Sequence, residues 1–263
     1  MGMRKIGIRS MLLVAAAVAT LIGLAVLLGV SPVWAQKPAW KEIRPEQLRQ
    51  MLDRNDDFML INTMSTIECR DHAIPKSVCI PCEAFDGNID RLPRDKQRKL
   101  VYYCESDMCL RSYKSAGKAI GLGYTDVSVL KNGLPGWKTA GYETVSRERI
   151  PRKAIASVKP VLLKRWLDEG KPLFLLDIRS EEIFLKGHID GAVNIPFYRL
   201  DGEYQNLPLD REIVLVDEMG FRSFLAACYL ARKGFEATRL FGGMDRWQKL
   251  LADAKRQAAK KRN

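Results

Sequence analysis

The apolar residues of the chain fall into short continuous runs, which alternate with segments of helical spacing. The runs that predict buried strands are Phe58–Asn62, Ser77–Pro81, Lys99–Cys104 and Asp126–Leu130. Apolar positions at helical spacing predict helices over Arg44–Leu52 and Ser112–Leu122. Alternation of strands and helices is typical of an α/β fold, so we expect a mostly parallel sheet flanked by helices on both faces.

The same order of elements then occurs a second time. The second set comprises helix Val161–Leu167, strands Leu173–Asp177, Ala192–Ile195 and Glu212–Asp217, helix Ser223–Lys233 and strand Ala237–Phe241. Pro45 corresponds to Pro160, and Trp137 corresponds to Trp247 as an expected core anchor of the closing helix. Solenoid repeats are about 20–50 residues long, whereas this repeat has the length of a domain. The pattern therefore predicts two copies of one α/β domain.

The boundaries of these domains follow from changes in composition. A chain of 263 residues can hold two domains that each bury a core. We expect the first domain over 43–142 and the second over 158–250, after a short leading linker at 36–42. Residues 143–157 are charged and lack periodicity, so they are expected to form the interdomain linker. Residues 251–263 are expected to form a basic tail.

The N-terminal segment, residues 1–35, has the layout of a targeting sequence. Arg4, Lys5 and Arg9 precede an uncharged run over 11–30, and small residues follow near Ala35. Two interpretations stay open. One is a signal peptide cut near Ala35, which leaves a soluble exported protein; the other is an uncleaved membrane anchor, because the run is long enough to span a bilayer. Both predict an extracytoplasmic protein, periplasmic if the source is bacterial.

The formal net charge of +12 first suggests a nucleic-acid partner. The excess is concentrated in the N-terminal segment and the tail, and the rest of the chain mixes both signs. No zinc finger, RNA-binding aromatic motif or basic helix pattern is present in the sequence. We therefore predict no nucleic-acid partner, and expect the tail to be solvated or to contact anionic lipid or a protein.

The six cysteines bring in candidate chemistry, and five of them lie in the first copy. They are Cys69, Cys79, Cys82, Cys104, Cys109 and Cys228. Cys79 and Cys82 form a CxxC motif, which has three interpretations: a local disulfide or redox pair, two unpaired structural thiols, or metal ligands. No second CxxC accompanies the motif, so we predict no metal site and no cofactor.

Cys104 is the strongest candidate for a catalytic residue. It ends a predicted strand, and ligands of open α/β sheets bind at that edge. The loop that follows comprises Glu105, Ser106, Asp107, Met108, Cys109 and Leu110, and leads to Arg111 and to Ser112 at the start of a helix. A helix N-terminus stabilises a thiolate, and Arg111 could hold an oxyanion of a substrate. From the residues alone, a buried strand-end cysteine is an equal alternative.

The motifs resemble those of the rhodanese-like sulfurtransferase family over nearly all of residues 43–250. In the second copy they are Leu176-Asp-Ile-Arg-Ser180, Gly187-His-Ile-Asp-Gly-Ala-Val-Asn-Ile-Pro196, Gly220-Phe-Arg-Ser223 and Gly242-Gly-Met-Asp-Arg-Trp247. In the first copy they are Val101-Tyr-Tyr-Cys104, Arg111-Ser112, Leu122-Gly-Tyr124 and Gly133–Trp137. The resemblance implies two tandem rhodanese-like domains in which Cys104 accepts sulfane sulfur as a persulfide. The partners it implies are a small donor, such as thiosulfate or polysulfide, and a thiol or cyanide acceptor.

The chain departs from the family pattern at several positions. Asp217, in the loop that leads to Arg222, replaces the second cysteine, so we predict an inactive second copy that could dock a protein partner. Asn62 replaces the usual aspartate of the first copy. The first loop is also longer than usual, and its Glu105 and Asp107 should raise the pKa of Cys104 and repel thiosulfate.

Cys109 leaves further alternatives open. It could form a disulfide with Cys104, resolve a Cys104 persulfide, act as the nucleophile itself, or be structural. Two other functions therefore stand beside the sulfurtransferase: a non-catalytic binding module, and a thiol–disulfide redox protein. A phosphatase is disfavoured because the spacing from Cys104 to Arg111 is wider than that enzyme class uses.

Overall fold

The computed structural model describes residues 40–105 and 109–260; the predicted leader, 1–35, lies outside these ranges. The first copy builds a five-stranded parallel sheet with the order β1-β5-β4-β2-β3. Its strands are β1 (Lys41–Ile43), β2 (Phe58–Asn62), β3 (Val78–Cys79), β4 (Lys99–Tyr103) and β5 (Val127–Leu130). The predicted parallel α/β architecture is confirmed.

The second copy repeats this sheet with the order β6-β10-β9-β7-β8, again entirely parallel. Its strands are β6 (Ser157–Val158), β7 (Leu173–Asp177), β8 (Val193–Asn194), β9 (Glu212–Val216) and β10 (Ala237–Leu240). The central pairs agree residue by residue, since β2 and β4 pair over five residues and so do β7 and β9. The identical strand order establishes the internal repeat.

Nine α-helices flank the two sheets within the described ranges. They are α1 (Pro45–Asp53), α2 (Thr66–Asp71), α3 (Arg111–Gly121), α4 (Gly133–Thr139), α5 (Pro160–Asp168), α6 (Glu181–Lys186), α7 (Leu200–Glu203), α8 (Arg222–Arg232) and α9 (Gly243–Lys260). Short 3₁₀ helices cover Cys82–Ala84, Asp86–Arg91 and Tyr204–Asn206. The sequence pattern missed α2 and α6, because six residues are too few to display a helical period.

Each sheet buries apolar side chains on both faces. In β4, Leu100 and Tyr102 belong to one cluster, whereas Val101 and Tyr103 belong to the cluster on the other face. This alternation is the two-residue period of a strand. Trp137 and Trp247 are buried in α4 and α9, as predicted.

Both predicted linkers prove to be partly structured. Strand β1 begins inside the segment 36–42, ends one residue beyond it, and forms the edge of the sheet by pairing with β5. In the segment 143–157, Val145 forms an antiparallel bridge with Ala73, and Ile150 is buried in the core of the second copy. Single apolar side chains, which show no periodicity, thus anchor the segment that connects the two copies.

The C-terminal helix extends into the predicted tail. Helix α9 runs through residues 251–260, where the sequence alone suggested a basic tail over 251–263. Across 40–105 and 109–260, no helix has both the length and the apolar character needed to cross a membrane.

The short helix α2 joins the two copies. Its Ile67 packs into the core of the second copy. The Arg70 guanidinium donates from Nη1 to Asp201 Oδ1 at 2.9 Å, and the Asp71 carboxylate accepts the Ile150 backbone N–H at 2.8 Å. One helix of the first copy therefore contacts both the connecting segment and the second copy, which fixes the surface on which the two copies meet.

Candidate functional site

Cys104 and Asp217 occupy equivalent places at the ends of β4 and β9. The carbonyl oxygen of Cys104 accepts the Leu134 N–H at 2.8 Å, and that of Asp217 accepts the Met244 N–H at 2.8 Å. In both copies a glycine with positive φ precedes the donor, and a Cβ there would collide with the carbonyl oxygen of Cys104 or of Asp217. The same glycine turn therefore fixes both strand ends.

The loop of the second copy forms a cradle for an anion. The buried Asp217 carboxylate accepts backbone N–H groups from Gly220 at 2.7 Å, Arg222 at 2.8 Å and Ser223 at 3.0 Å. Successive backbone N–H groups at a helix N-terminus favour negative charge. The Asp217 carboxylate thus occupies this cradle, and the side chain at this position contains no sulfur atom.

In the first copy the equivalent position holds sulfur. Cys104 is buried and forms a disulfide with the half-buried Cys109. Of the other predicted loop residues, Ser112 is buried at the start of α3 and Leu110 is exposed. Ser106, Asp107 and Met108 lie outside the described residues. Of the alternatives for Cys109, the structure contains the disulfide with Cys104, and the roles of resolving thiol and nucleophile stay predictions.

Arg111 lies beside this disulfide. Its Nε donates to Cys109 Sγ at 3.2 Å, and its Nη1 is 3.4 Å from Glu68 Oε2. The guanidinium is thus placed between a sulfur atom and a carboxylate. A role for Arg111 in holding an oxyanion of the substrate stays a prediction.

Glu68, which the sequence analysis missed, lies between the loops of the two copies. Its carboxylate caps α2 through Ser65, and it faces Arg111 from the first copy and Arg222 from the second, whose Nη2 is 4.0 Å away. Burial raises the pKa of Glu68, but the two arginines and Ser65 outweigh burial, so the pKa lies below its ordinary value. The Ser65-x-x-Glu68 capping box was the available signal.

A cavity of about 240 Å³ opens next to Glu68, between the two copies. The residues that line it are Glu68, Asp71, His72, Glu105, Lys138, Arg152, Phe221, Arg222, Phe224 and Leu225. Both copies and the connecting segment supply its walls. The lining contains both carboxylates and positively charged side chains. The Glu105 residue is exposed as a whole, yet desolvation of its carboxylate and the nearby Glu68 charge raise its pKa. The second copy therefore shapes the surroundings of the Cys104 loop.

The CxxC motif does not form a local pair. Cys79 is bonded to Cys69 of α2, whereas Cys82 is a buried free thiol whose pKa is raised by burial. Residues three apart in an extended chain point to opposite faces, which explains why Cys79 and Cys82 do not meet. Over the described residues, no group of three or more His, Cys, Asp or Glu side chains is arranged to hold a metal ion.

Comparison with known proteins identifies the family. The model of the rhodanese-like domain matches residues 44–140 and again 159–250. A putative sulfurtransferase of Bacillus subtilis, YtwF, is 30% identical over 94 residues, which are 36% of this chain and 91% of that protein. The bovine thiosulfate sulfurtransferase is 30% identical over 181 residues, covering 61% of this chain and 59% of its own length.

Two solved structures also align with this chain. The thiosulfate sulfurtransferase of Pseudomonas aeruginosa aligns over 77% of this chain and 43% of its own, with 21% identity and a TM-score of 0.40. Escherichia coli SseA, a 3-mercaptopyruvate sulfotransferase, aligns over 78% and 98%, with 16% identity and a TM-score of 0.36. Both segments of this chain match the family model, and each builds the same parallel sheet around an equivalent strand-end loop. The chain belongs to the rhodanese-like family and contains two domains of it in tandem.

Proposed function

We propose that the protein is an exported sulfurtransferase in which Cys104 carries sulfane sulfur as a persulfide. The observation that supports this most directly is the Asp217 carboxylate, which accepts three backbone N–H groups at the position equivalent to Cys104. The loop fold of this chain therefore stabilises an anion at that position. In the first copy the anion would be the Cys104 thiolate, and then its persulfide.

The reaction begins from the reduced protein. The Cys104 thiolate attacks the sulfane sulfur of the donor, the donor's sulfur–sulfur bond breaks, and the remainder leaves with the electron pair (sulfite, where the donor is thiosulfate). A thiol or cyanide acceptor then attacks the outer sulfur and regenerates the Cys104 thiolate. Because the Cys104–Cys109 bond blocks the first step, a reductant must open it before sulfur can be loaded.

The surroundings of the loop favour a donor with less negative charge than thiosulfate. Arg111 and Arg222 are cations beside the loops, but Glu68 already faces both of them. Glu105 adds another carboxylate at the cavity. Like charges repel most strongly where water is scarce, so a neutral organic trisulfide or a singly charged organic persulfide suits the site better than the thiosulfate dianion.

Mass spectrometry of the reduced protein tests the proposal. After exposure to thiosulfate, a thiosulfonate or polysulfide, one sulfur atom per protein should be found on the Cys104 peptide, from which cyanide removes it, or be released as sulfide. Cys104→Ser should abolish both the gain and the release, whereas Asp217→Asn, at the equivalent position of the second copy, should keep them. Absence of both added sulfur and released sulfide with every donor would refute the proposal.

A thiol–disulfide redox function is the second candidate, and the bond between Cys104 and Cys109 favours it. It predicts reversible disulfide formation with neither sulfur gain nor sulfide release under the same conditions. A non-catalytic binding role would leave function in the native host unaffected by Cys104→Ser. Export rests on the leader at 1–35, and detection of the protein in cytoplasmic and extracytoplasmic fractions would decide it.

A further inference from the structure

The Cys104–Cys109 bond defines a second chemical step beyond sulfur transfer to an external acceptor. We propose that Cys109 attacks the Cys104 persulfide and releases sulfide, so that the protein reduces the sulfane sulfur it accepts. This inference rests on the proposed function, because it requires that a persulfide form on Cys104. It assigns to Cys109 the role of an internal acceptor.

The geometry supports direct attack at the Cys104 sulfur. The two cysteines lie on one loop with their Cα atoms 6.4 Å apart, and the structure contains the bond between their Sγ atoms. Thiol–disulfide exchange is a displacement at sulfur, and its product is the bond between the attacking and the attacked sulfur. The observed disulfide is therefore the expected product of Cys109 attacking Cys104 Sγ.

Arg111 provides the charge that this attack needs. Its Nε is 3.2 Å from Cys109 Sγ, and α3, an eleven-residue helix, begins at Arg111. A guanidinium and a helix N-terminus both favour thiolate over thiol. Glu68 in turn faces the same guanidinium and positions it. Arg111 thus stabilises Cys109 as the nucleophile in addition to any contact with the donor.

The other described cysteines are excluded from this role by their positions. Cys69 and Cys79 are bonded to each other. Cys82 is a buried thiol whose pKa is raised, so it is a poor nucleophile, and Cys228 is buried in the core of the second copy. Cys109 is the described cysteine that reaches Cys104.

The proposed step is a displacement at Cys104 Sγ. The Cys109 thiolate forms a bond to Cys104 Sγ, the bond from Cys104 Sγ to the outer sulfur breaks, and hydrosulfide leaves with the electron pair. Two thiolate sulfurs are oxidised to a disulfide, and the sulfane sulfur is reduced by two electrons to sulfide. A dithiol reductant then attacks the Cys104–Cys109 bond, becomes a disulfide itself, and restores both thiols for the next cycle. Continuous turnover therefore consumes one dithiol for each sulfide released.

A single-turnover experiment on the full chain tests this step. The protein is reduced, freed of reductant under anaerobic conditions, and mixed with an aryl thiosulfonate, which leaves as the sulfinate. Sulfide is trapped with a bimane reagent, and intact-mass and peptide measurements follow the cysteines. The wild type should release about one sulfide per protein and lose the mass of two hydrogen atoms. Peptide mapping should assign the new bond to Cys104 and Cys109.

Matched variants separate the two proposals. Cys109→Ser should keep the persulfide on Cys104 and release sulfide at least about tenfold more slowly, whereas the control Cys82→Ala should behave like the wild type. A wild type that retains its persulfide without releasing sulfide, or a persulfide found on Cys109, would overturn the resolving role and leave a sulfurtransferase. If the wild type neither retains sulfur nor releases sulfide, and Cys109→Ser gains no sulfur, the proposed function itself fails. The wild-type measurement decides even if Cys109→Ser does not fold.

Discussion

The two copies have the same sheet and the same glycine turn, yet they fill the strand-end loop differently. In the second copy Asp217 accepts the backbone N–H groups of a short loop. In the first copy a longer loop bonds Cys104 to Cys109. The sheet and the glycine turn are common to both copies, whereas the chemistry depends on which side chain follows the strand. The Asp217 carboxylate makes the loop of the second copy structural, and in the proposed function the Cys104 thiol makes that of the first copy reactive.

A second difference lies one strand away, at the ends of β2 and β7. In the second copy the buried Asp177 carboxylate accepts from Arg179, and Arg179 Nη2 also donates to the Gly187 carbonyl at 2.8 Å. The first copy has Asn62 and Met64 at these two positions, and the Asn62 side chain accepts the Met64 N–H at 3.0 Å. An ion pair in one copy is thus replaced by a neutral pair in the other.

The neighbouring edge strand differs in the same way. Asn194 pairs with Asp177 across the sheet and donates to the carbonyls of Asp177 and Arg179. Its counterpart is Cys79, which pairs with Asn62 and is bonded to Cys69 of α2. A disulfide therefore holds the edge strand β3 in the first copy, whereas side-chain hydrogen bonds hold the equivalent strand β8 in the second.

The largest effect is expected from breaking the ion pair of the second copy. Arg179→Met leaves the fully buried Asp177 carboxylate without its guanidinium, which should lower the free energy of unfolding by about 3–5 kcal/mol. The double variant Asp177→Asn/Arg179→Met copies the first domain and should recover most of this loss, because both charges are gone. Urea unfolding of the full chain measures both. Equal losses in the single and double variants would contradict the comparison.

Most of the architecture could be predicted from the sequence because it depends on periodicity. The buried apolar runs predicted the central strands, and the internal repeat predicted that Asp217 takes the position of Cys104 in the second copy. The interface could not be predicted, since it is formed by the short helix α2 and by isolated residues such as Ile150. The Cys69–Cys79 disulfide was missed for a similar reason: the two residues meet through the fold, and their spacing in the sequence gives no sign of it.

The glycine turns offer a matched test of what the copies share. Gly133→Ala and Gly243→Ala each place a Cβ against a backbone carbonyl at positive φ, so each should cost about 2–3 kcal/mol of unfolding free energy. Gly141→Ala, also at positive φ but in open space, should cost about 1 kcal/mol. Of the three, only Gly133→Ala should also slow sulfur loading, because it displaces the Cys104 backbone. Slowed loading in Gly243→Ala would show that the second loop takes part in the reaction.

The smallest effect is expected at Glu68, whose counterpart in α6 is the partly exposed Ile183. Because the pKa of Glu68 is lowered in the folded protein, its contribution is fully present above the ordinary value of 4.5 and is lost as the pH falls through the folded-state pKa. Glu68→Gln should therefore reduce stability near neutral pH by about 1 kcal/mol, since the arginines are 3.4 and 4.0 Å away and the amide oxygen can still accept from Ser65.

The difference between Glu68→Gln and the wild type should shrink below pH 4.5. The same variant bears on donor choice. Removing the Glu68 charge frees Arg111 and Arg222 for an anionic donor, so the KM for thiosulfate should fall severalfold while loading from a neutral trisulfide stays constant. An unchanged KM for thiosulfate would show that neither arginine binds the donor. The role of Arg111 would then be confined to its contact with Cys109.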